Sequence, residues 1–213
     1  DKMLYESNLW REQRNRLDAN VNFELNRTNL YVKNELKGTF DWVSTNSNTF
    51  LNDQQQNLHS LPNRQFISDV LDIKLPISND RYISIVSTNN YNYHPQELSL
   101  YSGEIQRLDY SSFYSNTTAS FRHRLWRMYA NHQIGFQGMF QSLKSTIGNV
   151  ASISKQRYER YMPYIGTGLQ FDNRTIHMEA DVKMNLYNWQ LEEHSLSRKK
   201  TEFSPDARLF LKY

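Results

Sequence analysis

The sequence has no cysteine, only 7 glycines and 5 prolines in 213 residues, and no apolar run of the roughly 18 residues that a membrane-crossing helix needs. The first absence removes disulfides and thiolate metal sites; the last removes a helical membrane protein. Excess charge of one sign is also lacking. With 25 Lys+Arg against 22 Asp+Glu the net charge is +3, and no dense basic stripe marks a nucleic-acid surface. Asp1-Lys2-Met3 leads into no apolar stretch of signal-peptide type, so a secreted form is mature here or the chain is an internal piece. What the sequence has instead is aromatic content of 14%, with 14 Tyr, 11 Phe and 4 Trp, within a hydrophobic content of 38% and a mean hydropathy of −0.78. Such a low hydropathy is compatible with a membrane β-barrel, because only alternate residues of its strands face lipid.

Strict alternation over 175–187 carries the reading. Ile176, Met178, Ala180, Val182, Met184 and Leu186 are apolar, and His177, Glu179, Asp181, Lys183 and Asn185 between them are polar. This period of two belongs to a strand with one dry and one wet face. Its length matches the roughly 9–11 residues of a tilted membrane-spanning strand. Weaker versions of the pattern predict strands over 17–26, 30–42, 64–75, 82–93, 109–121, 125–141, 158–171 and 203–213, about nine in all. Short turns are expected at 26–29, 76–80, 122–124 and 172–174, and long loops at 43–63, 94–108, 142–157 and 188–202. In an up-and-down sheet this places every short turn at one end and every long loop at the other, the asymmetry of outer-membrane barrels. Trp42 and Trp126, at opposite ends of dry faces, fit the two aromatic girdles. Asn34, Asp69 and His132 interrupt those dry faces. An odd strand count and a last strand running to the final residue lead to the expectation that 1–213 is one β-barrel segment, incomplete by itself.

Catalytic chemistry is not evident. His177-Met178-Glu179 has the His-x-Glu spacing that opens the zinc-deaminase signature, but the cysteines that complete it are missing. Glu179 and Asp181 share the wet face of one strand with no nucleophile motif beside them. No His-Glu-x-x-His occurs, so neither a metal site nor a cofactor is expected. The candidate ligand contacts are aromatic and imidazole rings toward the long-loop end: Trp10, Tyr91, Tyr93, His94, Tyr101 and Trp189, since rings at a barrel mouth stack on sugars or peptides.

Certain segments bear a family likeness. Leu30-Tyr31-Val32-Lys33-Asn34-Glu35-Leu36 leads to Phe40-Asp41-Trp42; then come Leu71-Asp72-Ile73-Lys74-Leu75-Pro76-Ile77, Tyr91-Asn92-Tyr93-His94-Pro95-Gln96-Glu97-Leu98 and Leu108-Asp109-Tyr110-Ser111-Ser112-Phe113. In this order they resemble the middle of the β-barrel of TonB-dependent outer-membrane receptors, the large type with an N-terminal carboxypeptidase-regulatory-like domain. The resemblance implies a barrel of about 22 strands around a plug, in the outer membrane, importing large nutrients with energy from an inner-membrane complex. The partners it implies are outer-membrane lipid, the rest of the barrel and its plug, TonB and a surface lipoprotein, with no nucleic acid. The expected fold is therefore an all-β, antiparallel up-and-down transmembrane β-barrel, about nine strands of a larger one, and not an enzyme. The family's best-known motifs lie outside the barrel, so no functional residue is carried over. Two other readings share the periodicity: a small complete outer-membrane β-barrel, porin-like or enzymatic, and a soluble ligand-binding β-barrel with an apolar interior.

Overall fold

The computed structural model describes residues 6–51, 54–100, 105–148, 150–172, 176–193 and 196–212. They form ten strands and no helix: β1 Glu6–Arg27, β2 Leu30–Leu51, β3 Gln54–Ser60, β4 Arg64–Ser78, β5 Arg81–Leu100, β6 Ile105–Leu125, β7 Met128–Ile147, β8 Val150–Asp172, β9 His177–Glu193 and β10 Leu196–Lys212. All belong to one antiparallel sheet in which each strand pairs with its neighbours in sequence. The exception is local. β3 and β4 share one position, both lying between β2 and β5, so the sheet is nine strands wide. The break between them at 61–63 stays in register. Leu61 N donates to Glu97 O (2.9 Å), Asn63 N to Pro95 O (3.1 Å), and Val43 N to the Asn63 side-chain oxygen (3.0 Å).

The expected strands are present, but the long loops are not loops. Residues 43–51, 94–100, 105–108, 142–147, 150–157, 188–193 and 196–202 continue the strands, and β1 reaches back to Glu6 through a stretch without sequence pattern. The hairpins extend about ten residues past the apolar band at one end and stop close to it at the other. The asymmetry between the ends is thus carried by strand length. Beyond the band both faces of a strand are wet, so hydropathy alternation disappears while backbone pairing persists. Pairs such as Thr45 with Glu12, or Arg107 with Glu97 (an ion pair at 2.9 Å), lie in these extensions. The turn expected at 122–124 falls at Trp126-Arg127. Trp126 takes a positive φ of 57° there and lies in the turn, not on a strand face.

Register aligns the apolar positions of all nine strand positions on one face. One transverse row crosses the sheet without a polar side chain: Leu25, Val32, Ile73, Ile85, Ala119, Ile134, Ile165, Met184 and Pro205. The band drifts as it crosses. Its upper limit stands at Trp42 in β2 but at Leu186 and Phe203 in β9 and β10, which are level with Asn34, about eight residues lower along β2. That is about one residue of stagger per strand. With a rise near 3.3 Å per residue and a spacing near 4.8 Å between strands, a level band requires strands tilted by roughly 35°, within the range of barrels.

Exposure is inverted relative to a soluble sheet. Ile134, Ile165 and Leu209 on the apolar face are 62%, 60% and 77% exposed, whereas Met162, Tyr164 and Asn185 on the polar face are 7%, 7% and 5% exposed. Asp41 and Ser84, also on the polar face, are buried; on the apolar face Ala130, between His123 and Leu169 in register, and Gly138 are buried. Among the described residues no other element covers either face, so the difference comes from curling: the sheet is concave toward its polar side. The fold is an open, curved, up-and-down sheet whose edge strands β1 and β10 each have one neighbour.

Candidate functional site

The concave face is lined by Asn, Gln, Ser, Thr and Tyr together with charged residues, and glycines let the larger side chains lie flat against it. Tyr164 crosses Gly135 so closely that a Cβ there would meet the ring at 2.2 Å. The Tyr164 hydroxyl bonds with Thr118, and the Lys183 ammonium stands 3.6 Å from the ring centre. The Asp181 carboxylate occupies the space a side chain would fill at Gly168, and Gln133 does the same at Gly166. Below them a polar hollow of about 240 Å³ is bounded by Lys74, Tyr82, Arg122, Tyr129, Glu179 and Asp181. Arg122 donates to Gln170 (3.0 Å) and stacks over Tyr129, 4.5 Å from its centre. Cations and carboxylates interleave here, which suits a wall that offers both donors and acceptors to a hydrated solute. Most of these residues carried no sequence signal. The signals available were the alternation over 176–186, which puts Glu179, Asp181 and Lys183 on the wet face, and glycine alternating at 166 and 168 inside a strand, a mark of close approach.

The candidate ligand contacts are divided between the faces. Trp10, His94 and Trp189 lie on the polar face in the extended hairpin region, opposite Ser47, Tyr110 and Arg160 respectively. They are spread over the sheet: His94 is three strand positions from Trp10 and four from Trp189 and is level with neither, since register aligns Trp10 with Leu100 and Trp189 with Asn90, so they form no single pocket. Burial pushes the His94 imidazole below its ordinary pKa, and the Arg64 charge pushes it the same way. Tyr91 and Tyr93 lie on the apolar face near the top of the band. Tyr91 is opposite Phe113, and the Tyr93 hydroxyl is 3.5 Å from Asp109. Tyr101 lies outside the described residues.

Residues that interrupt the dry faces find partners across strands. Asn34 Nδ2 donates to Asp69 Oδ1 (2.7 Å) and Val70 O (3.4 Å), and Asn89 Nδ2 donates to Asp69 Oδ2 (3.4 Å). Ser115 donates to Asn89 Oδ1 (2.7 Å), and Ser87 bonds with Thr117 (2.9 Å). His132 Nε2 faces His123 Nε2 at 3.2 Å, and its Nδ1 bonds with Thr167 (3.0 Å). His177 lies between Glu179 (3.2 Å) and Asp172 (3.6 Å) on the polar face. Among the described residues no group of three or more His, Asp or Glu could hold a metal ion.

No family model matches the chain. No curated protein matches it either. Among solved structures its fold is similar to the ferric yersiniabactin uptake receptor FyuA from Yersinia pestis, at 9% identity and a TM-score of 0.48, over 97% of this chain and 42% of that one. It is also similar to the ferric citrate transporter FecA in its unliganded form (8%, TM-score 0.46, 96% and 40%). A third is the ferric-catecholate import receptor Fiu from K12 E. coli in its closed form (8%, TM-score 0.41, 97% and 46%). The chain spans less than half the length of each.

Proposed function

We propose that the chain is part of the wall of an outer-membrane β-barrel of the TonB-dependent uptake-receptor type, with its convex face in lipid and its concave face lining the passage. The observation that carries this reading is the inverted exposure. A soluble barrel buries its apolar face, and here that face is the open one, continuous across the full width of the sheet. A membrane supplies the missing apolar environment. Within the apolar band the edges of β1 and β10 require partners, because unpaired backbone groups are not tolerated in hydrocarbon, so further strands complete the barrel. Concave side chains that lie flat over Gly135, Gly166 and Gly168 suit the wall of a wide barrel that holds a plug better than that of a narrow one packed by its own residues. Uptake of a large nutrient, TonB and a surface lipoprotein as partners, and the outer membrane as location follow from this reading and from the motifs over 30–113. Trp10, His94 and Trp189 face the passage and are its proposed ligand contacts; Tyr91 and Tyr93 belong to the aromatic girdle, and Tyr101 is assigned to the mouth by its sequence position.

The test is a denaturing immunoblot of outer-membrane fractions with an antibody against this sequence. A band far above 25.4 kDa is expected. A band at that mass in the same fraction would favour a small closed barrel, and absence from membranes would remove the reading.

A further inference from the structure

At the short-turn margin of the convex face the apolar band ends in a polar strip that pairs poorly with lipid tails and well with a headgroup. Arg81 of β5 is opposite His123 of β6, His123 is in contact with His132 of β7, and His132 bonds with Thr167 of β8. His123 also stacks on Phe121 (5.2 Å between ring centres) and on His132 (5.3 Å), and its Nδ1 is 3.5 Å from Arg124 O. The two nearby arginines of the turn are engaged. Arg124 reaches Asp80 (3.7 Å) and the Trp126 carbonyl (3.0 Å), and Arg127 stacks over Trp126 (5.1 Å). Arg81 has no acidic partner among the described residues. An exposed guanidinium without a carboxylate, beside two imidazoles, favours an anion.

Directly above this strip the convex surface is furrowed. One hollow of about 600 Å³ includes His132 and Thr167 at its lower end, with Phe121, Val182 and Met184 among its walls. A second, of about 640 Å³, shares Ala119, Ile134, Ile165 and Met184 with the first and continues the furrow to Leu186 and Phe203. Ala119, small among Phe121, Ile134 and Ile165, leaves the depression. The furrow is apolar along its length and polar at one end, so its occupant has an acyl chain and an anionic head.

We infer that this furrow is a binding site for one glycerophospholipid of the leaflet nearest the short turns, its phosphate held by Arg81 and by the His123–His132 pair, whose mutual Nε2 contact opens to turn an N–H to the phosphate, with one acyl chain lying along the furrow. The inference rests on the membrane reading above. It goes beyond that reading, because a barrel in lipid need not select any headgroup. Thr167 holds the His132 ring in place, and the guanidinium supplies the fixed charge.

The test uses the full protein extracted from outer membranes in detergent, with bound lipid counted by native mass spectrometry. One phosphatidylglycerol is expected to remain per protein, and diacylglycerol of the same chain length is expected to bind at least tenfold more weakly. The double variant Arg81→Gln, His132→Asn is expected to lower phosphatidylglycerol occupancy at least tenfold, with Arg27→Gln, at the other side of the sheet, unchanged. Equal retention of the two lipids by the unaltered protein overturns the inference without relying on any variant, as does equal occupancy in the double variant. Either result, with the protein still recovered from outer membranes, leaves the membrane reading intact; failure of that reading shows earlier, as absence from the membrane fraction.

Discussion

The same transverse row of the convex face is built in two ways. Over β7 to β10 it presents Phe136, Pro163, Leu186 and Phe203; over β2 to β6 it presents Asn34, Leu71, Ser87 and Thr117, with Asp69, Asn89 and Ser115 in the row above. In the membrane setting proposed above, the first half meets hydrocarbon with nothing to satisfy. The second meets it with a polar patch whose members bond to one another across four strands. The difference teaches that the cost of a polar group in lipid is decided by its pairing. An isolated amide or carboxylate there costs several kcal/mol, whereas a connected set retains most of its hydrogen bonds in the absence of water.

The widest expected gap between the halves comes from adding a charge. Ile165→Arg, in the uniformly apolar half, is expected to destabilise the protein by about 2–4 kcal/mol, the cost of a guanidinium near the bilayer midplane. Ser87→Arg enters the patch beside Asp69, where a carboxylate can pair with it, and is expected to cost clearly less. Urea unfolding of the protein in phospholipid vesicles, followed by tryptophan fluorescence, compares the two; equal losses would mean that the patch behaves as ordinary lipid-facing surface. A smaller effect tests the pairing itself. Asn34→Leu removes the closest donor to Asp69 and is expected to cost about 1–3 kcal/mol, the usual result of leaving one partner unsatisfied. Replacing Asn34, Asp69, Ser87, Asn89, Ser115 and Thr117 together by Leu, Leu, Val, Leu, Ala and Val is expected to be near neutral, since no member of the patch is left without its partner. In a double-mutant cycle, residues 34 and 69 are expected to couple by about 0.5–3 kcal/mol. A coupling of zero would show that their hydrogen bond is not maintained in the bilayer.

What could be read from the sequence follows the same physics. The strand cores were legible because each strand has one wet and one dry face there, and the pattern of 176–186 continues unbroken through register into Phe203, Pro205, Ala207, Leu209 and Leu211. The hairpin extensions were illegible by periodicity because both faces meet water. Their signal was compositional: Val43, Thr45, Thr49 and Phe50, with little glycine or proline, form a poor loop and an acceptable strand. Asn34 and Asp69 read as defects because the sequence separates them by thirty-five positions, and only register makes them neighbours. The ligand contacts were the least legible. An aromatic residue near a strand end has the same composition whether it faces the passage or the girdle, and that choice depends on the parity of its position: odd for Tyr91 and Tyr93, even for His94.

A third comparison sets one face of β7 against the other. Gly135→Ala places a methyl group against the Tyr164 ring, which is held by Thr118 and Lys183, and is expected to cost about 1–2 kcal/mol through overpacking. Gly138→Ala, on the convex face of the same strand, meets the edges of Phe136 and Phe140 at 3.0 and 3.3 Å, and those rings can turn outward. It is expected to change stability by less than about 0.5 kcal/mol. If both substitutions cost the same in thermal unfolding, the concave face is not the crowded one and the assignment of lumen and lipid loses its support.

The smallest effect belongs to His94, above the band on the concave side. Its imidazole pKa is lowered first by burial and then by Arg64. Between the ordinary imidazole value and this lower one, the unfolded chain binds a proton that the folded chain does not. Stability is therefore complete above the ordinary value and declines as pH falls through the lowered one. His94→Gln is expected to remove that part of the acid sensitivity. Arg64→Gln should remove only a smaller part, since the main cause, burial against Tyr110, remains. Unfolding midpoints collected from pH 7.5 to pH 5 for the three proteins provide the check. A steeper acid loss in the His94→Gln variant than in the unaltered protein would reverse the sign, and would mean that His94 is charged in the folded wall and stabilised by a group on the passage side.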